Sequence, residues 1–427
     1  MLRMTCAVIC CAGLATAASA DGVTDWNKLL LDSIAATNVA PPAASRMMAM
    51  VHTAQFEAIN SIDRNYRCYN AYLDCAADSD RSAAAAQAAR DVLTTLFPTR
   101  QSIFDAKLSA DLASVPNAAA RSNGIALGVA AASQTIAGRA SDNSSMSITY
   151  TGGNAIGQWR PTPPGNAAAA LPHWRYVTPW SVQSAQQFMP GPPPAVGSAE
   201  YAVAYDEVKR LGSVNSAERT QHQTDTAFLW RAGSNTVTPP GQWFEIASQA
   251  VAQRNLSIGE SARLFALIGM AVADAGITAW ETKNTYDFWR PITGIQLGDA
   301  DGSSLTAGDP LWRPLLTTPN HQSYTSGHST FSSAAATVLA SYFGDELNFT
   351  VAGDGVTREY SSFWAAAQDA GMSRIYGGIH WQFDNQAGLA SGSSVGRWVF
   401  DHALAVPAPS ALAMLGLAAM TAGRRRR

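Results

Sequence analysis

An all-α fold is predicted for this chain, built as two helical bundles packed as one unit and joined by a long crossing loop. Three observations carry the prediction. Apolar residues recur three or four apart over several long stretches, no stretch alternates convincingly as a strand, and the segment 143–197 is crowded with glycine, proline and tryptophan without any long period.

The elements follow in order. Residues 1–20 read as a signal peptide: Arg3 in a short basic start, an apolar run from Thr5 to Ala17, and Ala18-Ser19-Ala20 as a small-residue cleavage site. Export would remove Cys6, Cys10 and Cys11, leaving Cys68 and Cys75 in a short polar loop. There an oxidising compartment favours a disulfide, with two free thiols as the alternative. Helical spacing runs through Ala44 to Ile62, Ala83 to Phe97, Ile103 to Leu112, Ala118 to Ile136, Tyr201 to Leu211 and Ile258 to Phe288. The run from Leu264 to Trp280 is nearly apolar enough for a membrane, but Asp274 interrupts it and a core helix is expected. In the crossing loop, Trp159, Trp174, Tyr176 and Trp180 suit either packing between helices or walling a pocket entrance. The span 21–405 is long for one core, so an amino-terminal half (21–256) and a site-bearing half (257–405) are expected within one domain. Residues 406–427 pair Val406-Pro407-Ala408-Pro409-Ser410 with an apolar run to Gly423 and four arginines. That run is shorter than the ~20 residues needed to span a bilayer unaided.

Composition narrows function. With 47% hydrophobic residues, 14% charged and a formal charge of -3, the chain has the balance of a soluble globular protein and no nucleic-acid signature. Asp299, Asp301 and Gly302 open like a calcium loop, but Pro310 stands where the closing glutamate belongs, so a turn is expected.

Three segments of the last third carry chemistry. Lys283 and Arg290, then Ser326-Gly327-His328, then Arg374, His380 and Asp384 supply cationic forks, a point charge and helix-start donors that match a tetrahedral or trigonal-bipyramidal oxyanion. Asp384 lies four residues after His380, a spacing that permits contact on one helical face, where the carboxylate fixes the ring tautomer and leaves the other nitrogen free to attack. His328 is the candidate proton shuttle.

This pattern and its spacings resemble the superfamily that joins type-2 phosphatidic acid phosphatases and bacterial acid phosphatases to vanadium-dependent haloperoxidases. The resemblance narrows to the soluble haloperoxidases around Asp274-Ala275-Gly276-Ile277, Trp280 and Phe288-Trp289-Arg290-Pro291. It extends upstream through Met50 to Asn60 and Trp174 to Gly191. It implies the helical bundles of that family, with Lys283, Arg290, Ser326, Gly327 and Arg374 around vanadate, or phosphate in its place. His380 would coordinate vanadium, and His328 would bond the apical oxygen. Hydrogen peroxide and a halide are the implied substrates. Trp280 and His321 are placed beside the halide, and a histidine at position 321 points to bromide or iodide, as in algal relatives, rather than chloride. Thr325 replaces the family's usual proline. The same residues suit a secreted acid phosphatase in which His380 attacks a phosphomonoester and His328 protonates the leaving oxygen. A silent oxyanion-binding surface protein is the third reading. The tail resembles the PEP-CTERM sorting signal, with Ala408 in place of its glutamate. That likeness implies an exosortase-type processing enzyme, only transient membrane contact, and the periplasm, cell surface or matrix of a Gram-negative bacterium.

Overall fold

The computed structural model describes residues 22–407; the expected signal peptide and the sorting tail beyond Pro407 lie outside these residues. Thirteen α-helices, three short 3-10 turns and one hairpin make up the regular structure of the described residues. The amino-terminal half holds α1 (Gly22–Ala36), α2 (Pro41–Asp63), α3 (Arg81–Leu96), α4 (Gln101–Ala113), α5 (Ala118–Gly138), α6 (Ala199–Leu211), α7 (Gln221–Leu229) and α8 (Thr238–Arg254). The site-bearing half holds α9 (Ile258–Tyr286), α10 (Pro291–Gln296), α11 (Gly327–Phe343), α12 (Phe363–Tyr376) and α13 (Gln382–His402).

The longest helix, α9, is the common spine. A capping box of Ser257 and Glu260 starts it and Asp287, in the left-handed region at φ 49, ends it. Between them nearly every residue is buried, against α2 on one side and α11 and α13 on the other, so its apolar run is that of a core helix. One continuous apolar core therefore draws on both halves. In α13, Gly388, Gly392 and Gly396 form a stripe against α11. A Cβ on Gly392 would lie 2.1 Å from the Thr330 carbonyl oxygen and one on Gly396 2.4 Å from that of Ala334. This close approach brings the start of α13 to the start of α11, where the Ser326 amide donates to the Asp384 carbonyl at 3.0 Å.

The crossing segment is anchored rather than loose. Trp159, Trp174 and Trp180 are buried among the helices, and only Tyr176 is exposed. Asp274, in the middle of α9, accepts the consecutive amides of Trp180, Ser181 and Val182 at 2.6, 2.8 and 2.9 Å. The tryptophans thus pack, and the pocket wall comes instead from the stretch 162–167 between them.

Several expectations need correction. Residues 346–362 form an antiparallel hairpin, β1 (Glu346–Gly353) and β2 (Val356–Ser362), although no strand is read from the sequence. The signal is present: Leu347, Phe349 and Val351 alternate inward, and Asp354-Gly355, both at positive φ, supply a two-residue turn. Cys68 and Cys75 are free thiols rather than a disulfide; the Cys75 thiol turns to the Ser61 carbonyl at 3.4 Å. Asp299 and Asp301 cap local amides, of Gly308 and Ser303, as the turn reading expects.

Candidate active site

Four helix ends converge. Lys283 sits in the last turn of α9 and Arg374 in the last turn of α12, while Ser326 caps α11 and Asp384 occupies the first turn of α13. Arg290 is the residue before Pro291 at the start of α10. The sequence therefore brings cations and helix-start amides to one place from segments far apart in the chain.

His380 and Asp384 do not share a helical face as expected. His380 lies in the loop before α13, and the contact runs from that loop to the helix start, with Nδ1 2.8 Å from Asp384 Oδ2. The same oxygen accepts the Trp381 amide at 3.0 Å and the Ser323 hydroxyl. Burial raises the Asp384 pKa, but the donors gathered on Oδ2 hold the group as the carboxylate, which fixes the His380 proton on Nδ1. That leaves the Nε2 lone pair outward, where Arg290 Nη1 donates to it at 2.9 Å. Burial, with Arg290 and Lys283 nearby, holds the His380 pKa well below the usual histidine range and keeps the ring neutral.

Arg290 is completely buried. It donates to the carbonyls of His321 (2.8 Å) and Ile379 (2.7 Å) and to His321 Nδ1 (2.9 Å) as well as to His380. Because a guanidinium only donates, its 2.9 Å contact, shorter than the 3.2 Å from the same nitrogen to the Gln322 carbonyl, favours His321 Nδ1 as the acceptor with the proton on Nε2. The His321 ring lies 5.0 Å from that of Trp280, and both line the cavity. Lys283 is brought to the site, but its three hydrogens go to the carbonyls of Gln322 (2.8 Å), Ser323 (3.0 Å) and Thr325. Burial and then the charge of Arg290 pull its pKa well down, while the three acceptors hold the third proton. Its contribution to a bound anion in this arrangement is its field rather than a direct hydrogen bond.

Arg374 differs from both. Nη1 donates to the Trp230 carbonyl at 3.1 Å, whereas Nε is buried without a partner, and the residue lines the cavity. Burial and neighbouring arginines lower its pKa to about 9, which leaves it charged at neutral pH. His328 is half-buried on the same cavity, its Nε2 3.3 Å from the Arg231 carbonyl, so that nitrogen donates and Nδ1 is free to accept. Ser326 is used locally: its Oγ caps Ser329 at 3.3 Å. Gly327 lines the cavity. A Cβ there would meet Trp280 and Phe331 at ordinary distances of 3.6 and 3.8 Å, so packing alone does not require glycine.

Sequence reasoning missed Ser323, which steadies Asp384, and the Trp230-Arg231 carbonyls that hold Arg374 and His328. Neither lies in a motif; both come from connecting segments whose approach to the site is set by tertiary packing. Above the site opens a cavity of about 770 Å³.

Comparison with known proteins places this arrangement. Residues 263–408 match the family described as the VCPO second helical-bundle domain. Vanadium chloroperoxidase of Curvularia inaequalis is 26% identical over 270 residues, a match that covers 47% of this chain and 44% of that protein. The chain thus spans less than half the length of that curated relative. The structure of a bacterial vanadium-dependent iodoperoxidase superposes with a TM-score of 0.79 at 26% identity, covering 90% of this chain and 97% of that one. A bacterial vanadium-dependent chloroperoxidase in its holo form shares the fold at a TM-score of 0.67 and 16% identity, covering 85% and 93%. Residues 263–408 thus match the VCPO second helical-bundle domain, and along 90% of its length the chain is similar in fold to a bacterial vanadium-dependent iodoperoxidase.

Proposed function

We propose that the chain is an exported haloperoxidase that holds vanadate at His380 and oxidises iodide or bromide with hydrogen peroxide. The observation that carries the proposal is the charge imbalance around His380: Lys283, Arg290 and Arg374 are buried together, and Asp384 is the carboxylate that acts on Lys283 and Arg290. Buried positive charge without matching negative charge is costly even when carbonyls accept its hydrogens, unless a ligand supplies the missing charge. The donors fit vanadate. Arg374 Nε has no partner in the protein, the Gly327 and His328 amides start a 17-residue helix, and the Gly327 Cα leaves open the space a side chain would fill.

The residues present then divide the work. His380 would offer Nε2 to the oxyanion's central atom once Arg290 Nη1 releases that lone pair, and Asp384 keeps the other ring proton in place. The three cations and the amides at the start of α11 would neutralise the charge of a bound oxyanion, and His328 Nδ1, on the cavity side, is free to accept a proton. When bound, vanadate would supply Lewis-acid activation of peroxide toward halide without changing its own oxidation state.

The likeness to a bacterial iodoperoxidase over nearly the whole chain supports iodide or bromide over chloride, and supports peroxidase over phosphomonoesterase. The geometry of Arg290 supports the same choice. By committing donors to His321 and two carbonyls it has few left to polarise an oxyanion, which suits the more easily oxidised halides. Export is supported by the pattern of residues 1–20 and the tail 406–427.

The deciding experiment titrates vanadate-free protein with vanadate while following melting temperature, iodide and bromide oxidation, and phosphate-ester cleavage. The expected result is a rise in melting temperature with vanadate- and peroxide-dependent triiodide formation, both lost in His380→Ala. Phosphate-ester cleavage inhibited by vanadate would replace the proposal with the phosphomonoesterase. A thermal response with neither activity would leave a silent oxyanion binder. Cell fractionation with and without residues 1–20 tests export: equal retention in the cytoplasm would reject it.

A further inference from the structure

The hairpin gives no residue to the cavity lining, yet one of its side chains is tied to the site. Tyr360 of β2 is half-buried, its ring 6.0 Å from that of Trp230. Its hydroxyl is used twice: it donates to Asp369 Oδ2 and accepts from Trp230 Nε1 at 3.1 Å. Burial, with Asp369 beside it, raises the pKa of the phenol, so the proton it donates stays in place at neutral pH. Both partners lead to Arg374. Asp369 lies in α12, five residues before Arg374 on the same helix. Trp230, at the end of α7, gives its carbonyl to Arg374 Nη1 at 3.1 Å, the hydrogen bond that ties this guanidinium to the protein among the described residues. The contacts close a ring, from α12 at Asp369 through Tyr360 and Trp230 and back to α12 at Arg374.

The hairpin is braced so that Tyr360 is a fixed point. Arg358, two residues earlier on β2, donates from Nη1 to Asp369 Oδ2 and to Thr226 Oγ1 of α7, each at 2.6 Å. Asp354 in the turn takes Arg231 Nη2 at 2.9 Å. On the other edge, Gln249 of α8 pairs with the amide and the carbonyl of Thr350 at 2.9 and 2.8 Å. Gly353 brings β1 against the end of α7, where a Cβ would lie 2.2 Å from the Leu229 carbonyl oxygen. Trp230 to Gly233, in contrast, belong to no helix or strand. No ladder fixes the direction of their carbonyls, so that direction depends on what grips the side chains. For Trp230 the grip on the indole N–H is the Tyr360 hydroxyl.

We propose that Tyr360 is a positioning residue for oxyanion binding: it holds Trp230 so that the Trp230 carbonyl aims Arg374 at the anion beside His380. The inference rests on the reading of that site as a vanadate site. A phenol is needed because the position must accept from the indole and donate to Asp369 at once. Phenylalanine keeps the ring and its packing against Trp230 but can do neither. The indole N–H then loses its partner, and the carbonyl that steadies Arg374 loses its fixed direction. Tyr360 touches neither the anion nor the cavity, so its effect on binding passes through Arg374.

The test is a double-mutant cycle. Binding of vanadate, and of inorganic phosphate beside it, is measured by calorimetry on wild type, Tyr360→Phe, Arg374→Met and the double variant, at a temperature where circular dichroism shows each of them folded. Melting temperatures are recorded separately. The expected result is that Tyr360→Phe weakens vanadate binding about tenfold when Arg374 is present and less than about twofold when it is already methionine. A residue that only supports the fold would lower the melting temperature and leave affinity alone, or would weaken binding by the same factor in both backgrounds; either outcome overturns the inference. Triiodide formation from iodide is followed in the same proteins. Its absence from vanadate-loaded wild type, with oxyanion binding intact, rejects the haloperoxidase reading, and the cycle then decides the role of Tyr360 on phosphate. Binding of neither oxyanion by wild type overturns both.

Discussion

Buried charge is handled in opposite ways in the two halves of the molecule. In the amino-terminal half, Asp142 takes both Arg46 (2.7 Å) and Arg139 (3.0 Å), and Arg139 also caps the Thr178 and Pro179 carbonyls and lies over the Trp180 ring. Buried carboxylates that face this half bind consecutive loop amides: Glu57 those of Tyr69 and Asn70, and Asp274, reaching across from the middle of α9, those of Trp180 to Val182. Around His380, three cations face one carboxylate, and a guanidinium nitrogen has no partner. The first arrangement pins loops to helices. The second stores unmatched positive charge, which is the signature of a site awaiting an anion.

The comparison is tested most strongly by one substitution made twice. Asp384→Asn removes the acceptor that sets the His380 tautomer, and turnover should fall by on the order of 10²- to 10⁴-fold in vanadate-loaded protein. Asp274→Asn breaks a structural nest about two and a half turns up α9 from Lys283 and should leave turnover per folded molecule unchanged while lowering stability by about 3 kcal/mol. Steady-state kinetics beside chemical denaturation separate the two, and equal kinetic losses would erase the distinction between the regions.

Next in size is the partnered arginine pair. Asp142→Ala strands Arg46 and Arg139 in a mostly buried setting and should cost about 3–5 kcal/mol in unfolding free energy. Peroxidase activity at temperatures where the variant is folded should be retained.

Acid sharpens the contrast. His52, stacked between Phe244 (5.3 Å) and Phe265 (4.8 Å), has its pKa lowered from 6.5 to about 3 by burial, and burial also depresses His380, His321 and His328. A histidine whose folded pKa lies below its unfolded value contributes stability above 6.5 and loses it as pH falls. The slope is about 1.4 kcal/mol per unit for a fully buried ring and less for the half-buried His321 and His328. Asp274 and Asp384, raised from 3.8 to about 6, act oppositely: their contribution is present below 3.8 and lost as pH rises through 6, so they offset part of the acid loss. Stability should still fall below pH 6. Phosphate should delay that fall by neutralising the cations beside His380, and should do so equally in His52→Gln; an effect of phosphate that vanishes in His52→Gln would tie the two regions together.

What was legible in the sequence follows the same division. Helices with strong periodicity, such as α2, α5 and α9, are read directly, and so are the charged site residues, because their types and spacings name a chemistry. The helices α1, α7, α8, α12 and α13 are not. In α13 the glycine stripe that lets it approach α11 dilutes the apolar period, so the feature that builds the site hides the helix. The hairpin was readable from Leu347, Phe349, Val351 and Asp354-Gly355. The Lys283 carbonyl cage and the Trp230 carbonyl were not, because backbone acceptors carry no residue-type signal.

The smallest expected effect is the most discriminating. Arg374 is buried and charged, yet its Nε is unbonded and no carboxylate pairs with it. Removing a partnered buried cation leaves its carboxylate stranded, but removing an unpartnered one strands nothing. Arg374→Met keeps much of the side-chain volume and surrenders one hydrogen bond to the Trp230 carbonyl. In oxyanion-free protein its unfolding free energy should therefore lie within about 1 kcal/mol of wild type, on either side. The same variant should lose most of the vanadate-induced rise in melting temperature, since ligand stabilisation scales with affinity for the folded state. A loss of 3 kcal/mol or more (roughly the cost of breaking a buried ion pair) without oxyanion would mean that Arg374 is a structural cation like Arg139, and the charge imbalance would no longer mark an anion site.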